Sequence, residues 1–470
     1  MNAALLSRQG LWIPFGFLGI FLTTVCLRPL LPIDETRYLS VAWEMFLRHD
    51  WLAPLTKNGE PYHHKPPLLF WMINAVWAVT GPSRWAATMP PVAMGLASVY
   101  LTTLLAQRLF TRSAQIACRV PCIIMGCLPF LVYSSMVMFD VTMAFFVLLT
   151  ILNMLAFAQT QRWRYVALMA LSMGLGVLTK GPVNYLYVIF PMLLGPVWHC
   201  NALKPLRWYG GCLAALMLSI VPVLLWLLPV LRQSDAHFAF WLVWEQTAGR
   251  VTGGFKDAHV RPFLFYVPVA IVLAMPWAFF PQFWRQGRAL RRLAGNEAGL
   301  RFVLCWLASA FVAFSLISGK QPHYLVPLIP GLAILIACLL EGLKVKTLRK
   351  VAMGSYAVFV LAHVIGSQTF FKNYDLMPVA RYVRQNADRD WAFVKQYHGE
   401  VTFLARRQTP LDVLSDGHEA REWLIQHPEG LVIMRYEDNE DVAAFHEILS
   451  IPYRGKMLGI FKDKSATGRQ

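Results

Sequence analysis

Charged residues are scarce in this chain, and acidic residues are scarcer than basic ones. Only 15% of the 470 residues are charged, against 57% that are hydrophobic, and 26 Asp and Glu stand against 43 Lys and Arg. Soluble globular domains carry about 25% charged residues, so this composition excludes an ordinary soluble protein. The sequence instead contains a series of apolar runs of roughly 17–25 residues, the length at which an α-helix crosses about 30 Å of hydrocarbon. The composition therefore predicts an α-helical polytopic membrane protein.

The motifs of several enzyme classes are missing as well. The sequence contains no P-loop, no glycine-rich dinucleotide fingerprint, no His-Glu-x-x-His motif and no Gly-x-Ser-x-Gly elbow. None of the eight cysteines lies in the polar C-terminal tail, and no disulfide framework is predicted. The histidines that could meet, His63, His64, His259 and His323, follow no zinc-binding spacing. We therefore predict no metal site, while a divalent cation stays open as a cofactor.

Eleven apolar runs are predicted to cross the membrane, which corresponds to about 11–13 transmembrane helices when shorter apolar segments are counted. Alternate loops between them are rich in Lys and Arg and almost free of acid, so the positive-inside rule predicts that they are cytoplasmic. The net charge of +17 is thereby explained by topology and predicts no nucleic-acid partner. The runs are 11–31, 85–107, 113–135, 141–158, 165–179, 183–198, 209–231, 263–283, 301–317, 323–341 and 351–370.

The opposite loops are predicted to lie outside the cytoplasm, and they begin with a first periplasmic loop over 32–84. Within it, residues 66–80 are apolar but too short for a full span, so we expect a helix on or in the outer membrane face. Two domains are predicted, a transmembrane domain over 1–371 and a small periplasmic α/β domain over 372–470. The tail should contain helices near 377–386, 419–426 and 441–449, and strands near 391–394, 401–404, 431–434 and 457–461.

The first loop carries a dense group of polar side chains beside the membrane. Asp34-Glu35-Thr36-Arg37-Tyr38 begins the group, and Tyr62-His63-His64-Lys65 ends it. Polar groups at this depth are expensive to keep unless they bind or react with something. Asp140 is a second candidate, since it is an isolated acid between two apolar runs. A functional carboxylate and an exposed turn residue are the two interpretations of Asp140.

Three lysines stand at predicted membrane borders, each shortly before a proline: Lys65, Lys180 and Lys320. Singly, each would be an interfacial lysine whose stem lies along apolar surface. Together with Arg37 on one side of the membrane, they are the residue types that hold a phosphate. A lipid headgroup phosphate suits this depth, and lone carboxylates nearby suit the activation of a nucleophile.

Six stretches recur in a characteristic order along the chain: Pro32–Tyr38, His64–Leu68, Asp140, Leu178–Pro182, His259–Pro268 and Ser318–Pro327. Together they resemble the GT-C integral-membrane glycosyltransferases. More narrowly, they resemble the bacterial lipid A aminoarabinose transferases, which are related to protein O-mannosyltransferases. His64 departs from the pattern, since many aminoarabinose transferases carry Glu before the lysine.

This resemblance implies an inverting glycosyltransferase in the bacterial inner membrane, with its active site on the periplasmic side. The donor would be a sugar on polyprenyl (undecaprenyl) phosphate, and the acceptor a glycolipid or protein, foremost lipid A with 4-amino-4-deoxy-L-arabinose as the sugar. Asp34 matches the family's catalytic acid, and Asp140 matches its second functional carboxylate. The candidates for donor phosphate or substrate binding are Arg37, Tyr62, Lys65, Lys180, His259, Lys320 and Tyr324, with Glu35, His64, Glu245 and Arg261 in support.

Two alternatives stay open. A protein O-mannosyltransferase-like enzyme would use the same donor chemistry on a periplasmic protein. A transporter or flippase of polyprenyl-linked substrates would also need many spans and buried charges, but it should show inverted repeats and paired broken helices. The sequence shows no such repeat, and its reactive residue types gather on one predicted face.

Overall fold

The computed structural model describes residues 10–464 apart from 200–203, 236–237, 239, 243–259, 289, 291–293 and 296. Two predicted site residues, Glu245 and His259, lie outside the described residues. In chain order, helices α1 to α20 are Trp12–Leu27, Asp34–Arg48, Leu68–Thr80, Arg84–Leu109, Ala114–Gly126, Leu128–Ser134, Phe139–Thr160, Trp163–Lys180, Ile189–Leu193, Gly195–His199, Pro205–Leu218, Ile220–Arg232, Tyr266–Leu273, Pro281–Arg288, Ala298–Leu316, Ile329–Leu339, Val345–Gln368, Met377–Gln385, Thr402–Ala405 and Gly417–Gln426.

Six helical runs of the described chain are long and apolar enough to cross a membrane, or seven if the bent pair α5–α6 is one span. The two helices of that pair differ in direction by 66°. The long runs are Arg84–Leu109, Phe139–Thr160, Pro205–Arg232, Ala298–Leu316, Pro322–Leu339 and Val345–Gln368. Shorter apolar helices are Trp12–Leu27, Leu68–Thr80 and Phe263–Leu273.

Proline explains why some predicted spans are not single long helices. The predicted span 183–198 consists of a 3₁₀ segment, Pro182–Tyr187, followed by the five-residue helices α9 and α10. Proline lacks a backbone N–H and clashes with the preceding turn, so it interrupts a helix. Helix α3 has 13 residues and is therefore about 20 Å long, which agrees with the expectation that residues 66–80 are too short for a full span.

The described chain divides into two compact units. Unit 1 contains the described residues up to Leu22, His63–Met72 and the described part of Thr88–Val360. Unit 2 contains Thr23–Tyr62, Ile73–Ala87 and the described residues from Leu361 onward. Unit 2 thus joins the first part of the predicted periplasmic loop to the predicted tail.

Unit 1 is held together by a large apolar core of packed helices. Its buried indoles illustrate how polar atoms are accommodated there. Trp208 and Trp277 are fully buried, and their Nε1–H groups donate to Met192 O and Ile123 O at 2.9 Å each. Because a buried donor without a partner is costly, these bonds fix the orientation of both rings.

Unit 2 contains a mixed five-stranded sheet in the order β4-β3-β5-β7-β6. Strand β3 is parallel to β4 and to β5, whereas β7 is antiparallel to β5 and β6. One face packs in a cluster with α18 and α19, and the other packs in a cluster with α20. The strands are β1 Thr56–Lys57, β2 Glu60–Pro61, β3 Trp391–Val394, β4 Asp412–Leu414, β5 Leu431–Tyr436, β6 Phe445–Tyr453 and β7 Lys456–Asp463.

Two predictions for the tail are wrong. The predicted strand 401–404 is the short helix α19, and the predicted helix 441–449 passes from a 3₁₀ turn, Asn439–Val442, into strand β6. Short apolar runs fit the apolar spacing of a helix as well as that of a strand, which explains the first error. In the second case, β6 pairs with β7 along its length, and this tertiary pairing overrides the local helix propensity.

Candidate active site

Asp140 and Lys180 form a buried ion pair in unit 1. Lys180 Nζ lies 2.5 Å from Asp140 Oδ1, and the two side chains are 5% and 1% exposed. The interpretation of Asp140 as an exposed turn residue is therefore wrong. Lys180 Nζ also lies 4.9 Å from the centroid of the Tyr324 ring, close enough for a cation–π interaction. A carboxylate, an ammonium and a phenol thus meet in one place.

Helix ends position this pair. Asp140 lies in the first turn of α7 and Lys180 in the last turn of α8. Acidic groups are favoured at helix N-termini and basic groups at C-termini, where the backbone leaves unpaired N–H and C=O groups. Gly181 has a φ of 91° and ends α8 directly after the lysine, a conformation that glycine adopts without strain. The Lys180-Gly181-Pro182 sequence therefore places the ammonium at the end of a helix.

Lys320 ties two loop segments of unit 1 together. Its Nζ donates to Ile317 O at 2.5 Å and to Arg261 O at 3.0 Å, and the residue is 3% exposed. Arg261 N donates to Ser318 O at 3.2 Å. These contacts use two of the three ammonium donors of Lys320, so the side chain links the two segments by hydrogen bonds. The Arg261 guanidinium lies over the Phe265 ring at 4.7 Å.

Asp34 begins helix α2 in unit 2, and one of its carboxylate oxygens accepts two hydrogen bonds. Arg37 Nη2 and the Tyr38 hydroxyl lie 2.5 and 3.0 Å from Asp34 Oδ1. Residues three and four apart on a helix share a face, so the sequence Asp-Glu-Thr-Arg-Tyr brings these groups together without help from elsewhere. Burial raises the pKa of the Tyr38 phenol, and the Asp34 carboxylate raises it further. The phenol therefore stays protonated as a donor, while the Asp34 side chain remains 42% exposed.

Glu35, the next residue along α2, is fully buried. Its carboxylate accepts hydrogen bonds from Arg28 Nη1 and Nη2 at 2.5 and 2.9 Å and from the backbone N–H of Leu31 at 2.8 Å. Arg84 Nη1 in turn donates to Arg28 O at 2.9 Å. Glu35 thus anchors the start of the helix that carries Asp34, and its supporting role at the site stays a prediction.

The end of the first loop supplies the remaining candidates. Tyr62 is 3% exposed, and its backbone N–H donates to Leu55 O at 2.7 Å. The His63 ring contacts the rings of His64 and Trp241. Lys65 follows as a half-buried residue of unit 1. The roles of these residues in substrate binding stay predictions.

Sequence reasoning missed a part of unit 2 that adjoins α2. The backbone of Tyr397–Gly399, after β3, accepts hydrogen bonds from side chains of the first loop. Lys57 Nζ donates to Tyr397 O at 2.5 Å, Thr36 Oγ1 approaches His398 O at 3.5 Å, and Ser40 Oγ donates to Gly399 O at 2.9 Å. No motif marks these tail residues, because carbonyl acceptors leave no trace in the sequence.

The comparisons with known proteins agree with the fold and with the resemblance found in the sequence. Residues 64–226 match the family model described as dolichyl-phosphate-mannose-protein mannosyltransferase. The undecaprenyl phosphate-alpha-4-amino-4-deoxy-L-arabinose arabinosyl transferase of Pseudomonas aeruginosa (strain UCBPP-PA14) is 30% identical over 337 residues, which cover 70% of this chain and 56% of that protein. This chain therefore spans just over half the length of the curated relatives that it matches.

Two solved structures resemble the chain in three dimensions. ArnT from Cupriavidus metallidurans bound to undecaprenyl phosphate superposes with a TM-score of 0.78 at 18% identity, covering 98% of this chain and 99% of that one. The apo oligosaccharyltransferase of Archaeoglobus fulgidus gives 0.52 at 13% identity, covering 90% and 69%.

The helices and the C-terminal sheet define a multi-pass membrane protein with the fold of the GT-C glycosyltransferases. The predicted fold class, helical spans followed by a small α/β domain, is confirmed. Within this class the chain is similar to the bacterial aminoarabinose transferases, as the ordered motifs indicate.

Proposed function

We propose that this chain is an inverting glycosyltransferase that moves a sugar from undecaprenyl phosphate to lipid A on the periplasmic face of the bacterial inner membrane. The sugar best supported is 4-amino-4-deoxy-L-arabinose, since that sugar is named in the relatives with 30% identity. The observation that carries the proposal is the buried Asp140–Lys180 pair beside Tyr324. Both residues fall on motifs of the resembling family, and buried ion pairs inside membrane segments mark functional sites.

The proposed reaction is a single displacement at the anomeric carbon. The acceptor oxygen forms a bond to that carbon, its proton passes to the Asp34 carboxylate if the acceptor is a hydroxyl, and the bond to the carrier phosphate breaks. The electron pair leaves on the undecaprenyl phosphate oxygen, so negative charge grows there. Cations already in place in a low-dielectric site stabilise that charge without reorganising. One displacement inverts the anomeric configuration.

The two carboxylates would have different tasks. Asp34 is partly exposed, and Arg37 and Tyr38 both hold its Oδ1. This is the arrangement expected of a base that has to meet a substrate in a fixed orientation. Asp140 is buried and bonded to Lys180, which suits a group that positions the lysine near the donor phosphate.

Mass spectrometry of lipid A tests this function. Lipid A from cells that express the chain should gain the mass of one or two aminoarabinose groups, and cells expressing Asp34→Asn should show no gain while the protein accumulates normally. Full modification by Asp34→Asn would refute the mechanism, and an unmodified lipid A in the wild-type strain would refute the acceptor.

A protein O-mannosyltransferase-like activity is the second candidate. It is favoured by the match of residues 64–226 to the mannosyltransferase family model. Intact-mass analysis of periplasmic proteins from the same pair of strains separates the two candidates. Hexose on periplasmic proteins, with lipid A unchanged, would select the second one.

A further inference from the structure

One side of helix α2 is hydrogen-bonded to the backbone of the tail. Ser40 Oγ donates to Gly399 O at 2.9 Å, and Trp43 Nε1 donates to Arg407 O at 2.7 Å. Thr36 Oγ1 lies 3.5 Å from the carbonyl oxygen of the residue before Gly399. The three side chains are buried, and their spacing of four and then three positions makes them one stripe along the helix. We call this row of residues the tail-facing stripe.

Asp34 lies on the opposite side of the same helix. At 3.6 residues per turn, Asp34, Arg37 and Tyr38 leave α2 in a direction nearly opposite to that of the tail-facing stripe. Ser40 follows Asp34 by about 9 Å along the helix axis. The Asp34 side chain is 42% exposed, so the tail holds the helix from behind and leaves the carboxylate accessible.

The tail segment that accepts these bonds, residues 397–400, is held by hydrogen bonds of its own. The Tyr397 hydroxyl accepts the backbone N–H of Thr402 at 2.9 Å. The Glu400 carboxylate accepts the backbone N–H of His398 at 2.7 Å and the Tyr453 hydroxyl at 3.3 Å. Tyr397 and Glu400 are both buried. The segment therefore presents its carbonyl groups to α2 from a fixed position.

Gly399 sets how closely the helix approaches this segment. A Cβ at Gly399 would lie 2.8 Å from Ser40 Cβ and 3.3 Å from Thr36 O. The first distance is far below ordinary contact between two carbon atoms, which begins near 3.5 Å. Any side chain at this position would therefore push α2 away from the tail.

We infer that Gly399 and Ser40 are positioning residues of the transferase, which hold α2 at the distance and rotation that aim the Asp34 carboxylate at the acceptor. This inference rests on the proposed role of Asp34 as the base. Misplacing a reacting group by about 1 Å can lower a rate by about a hundredfold. The tail thus contributes to catalysis through α2, without contacting a substrate at these residues.

The test compares Gly399→Ala with Gly455→Ala in the full-length protein in nanodiscs. The two glycines have φ values of 75° and 77°, so both variants carry similar backbone strain. A Cβ at Gly455 meets nothing within 4 Å, so only Gly399→Ala displaces α2.

Two measurements are made on each variant, after thermal unfolding has given the folded fraction. For transfer of aminoarabinose from undecaprenyl phosphate to lipid A, Gly399→Ala should lower kcat per folded molecule by about tenfold or more and leave the KM for the donor unchanged. Hydrogen exchange of the backbone amides of α2 should be faster in Gly399→Ala. Gly455→Ala should keep the wild-type kcat and the wild-type exchange rate in α2.

Ser40→Ala is a milder variant that tests the same contact if Gly399→Ala does not fold. It removes one hydrogen bond and leaves the packing almost unchanged, so kcat should fall by about threefold. In the Gly399→Ala background the same substitution should lower kcat little further, because the two residues act through one contact.

Two outcomes would overturn the positioning role. One is a wild-type exchange rate of α2 in the folded variants, and the other is faster exchange with an unchanged kcat per folded molecule. The proposed function is judged separately by Asp34→Asn, whose full activity would refute the base and the positioning role together. An inactive Asp34→Asn beside fully active Gly399→Ala and Ser40→Ala would refute the positioning role alone.

Discussion

Arg28 and Glu35 form a two-pronged ion pair inside unit 2, with N–O distances of 2.5 and 2.9 Å and side-chain exposures of 5% and 0%. Glu35 directly follows Asp34 in the first turn of α2. The pair therefore fixes the end of the helix that carries the proposed base, although neither residue needs to contact a substrate.

Glu35→Gln should destabilise the protein strongly. The substitution leaves the Arg28 guanidinium buried without its counter-charge, which typically costs about 3–5 kcal/mol. We expect a large drop in the melting temperature of the purified protein in detergent. Glu429→Gln is the matched control, because the Arg389–Glu429 pair is 38% and 85% exposed at 3.5 Å and such pairs contribute about 0–1 kcal/mol. Equal effects of the two substitutions would contradict the anchoring role of Glu35.

The Asp140–Lys180 pair should separate stability from activity. Asp140→Asn and Lys180→Met each leave a charge buried in unit 1, so each should lower the melting temperature. In the double variant no charge is left, and stability should recover by about 0.5–3 kcal/mol relative to the sum of the single effects. Transfer to lipid A should stay absent in all three. Additive losses of stability would show that the two side chains do not interact in the folded protein.

His398 should make unit 2 sensitive to acid. Burial, helped by nearby cations, lowers its pKa from an ordinary 6.5 to about 4. Between these values the unfolded chain binds a proton that the folded chain does not, so the free energy of unfolding falls as the pH falls through this window. Between pH 7.5 and 5, the melting temperature of His398→Gln should therefore fall less than that of the wild type. His446→Gln, an exposed position on β6, should behave like wild type, and an unchanged pH response in His398→Gln would argue against the shift.

Two glycines with the same backbone angle separate conformational strain from packing. Gly59 and Gly455 both have a φ of 77° in tight hairpin turns, where an L-residue is strained. A Cβ at Gly59 would lie 2.9 Å from Pro410 Cγ, whereas a Cβ at Gly455 meets nothing within 4 Å. Gly455→Ala should cost about 1 kcal/mol, and Gly59→Ala should cost more. Melting temperatures that fall equally would indicate that Pro410 yields without cost.

The residues of unit 1 show how far sequence reasoning reaches. Asp140 and Lys180 are polar residues in an apolar context, so composition alone singles them out. Their direct contact across 40 positions is not visible in the sequence, because it depends on how α7 and α8 pack. The hydrogen bonds of Lys320 to two backbone carbonyls are equally hidden, because backbone acceptors are invisible in any pattern of residue types, and its binding of a phosphate stays a prediction.

Unit 2 shows where such reasoning ends. The local spacing of Asp34, Arg37 and Tyr38 is enough to predict that they share a helix face. The neighbourhood of His398 depends on pairings between distant parts of the chain, and no periodicity encodes them. The strand β6 was mistaken for a helix for the same reason, since its partner β7 decides its conformation.

The hydrogen bonds of Asn58 link the first loop to residues far along the chain. Its side-chain amide donates to Leu411 O at 2.8 Å and accepts from Leu411 N at 2.9 Å, across 353 positions. Ribosomes add about 5–20 residues per second, so Leu411 is synthesised on the order of tens of seconds after Asn58. During biogenesis the first loop therefore emerges long before it can close this contact, and chains interrupted before residue 411 would carry a loop that lacks this anchor. Quality-control proteases that act on unpaired loops would thus have a defined window in which to recognise such chains.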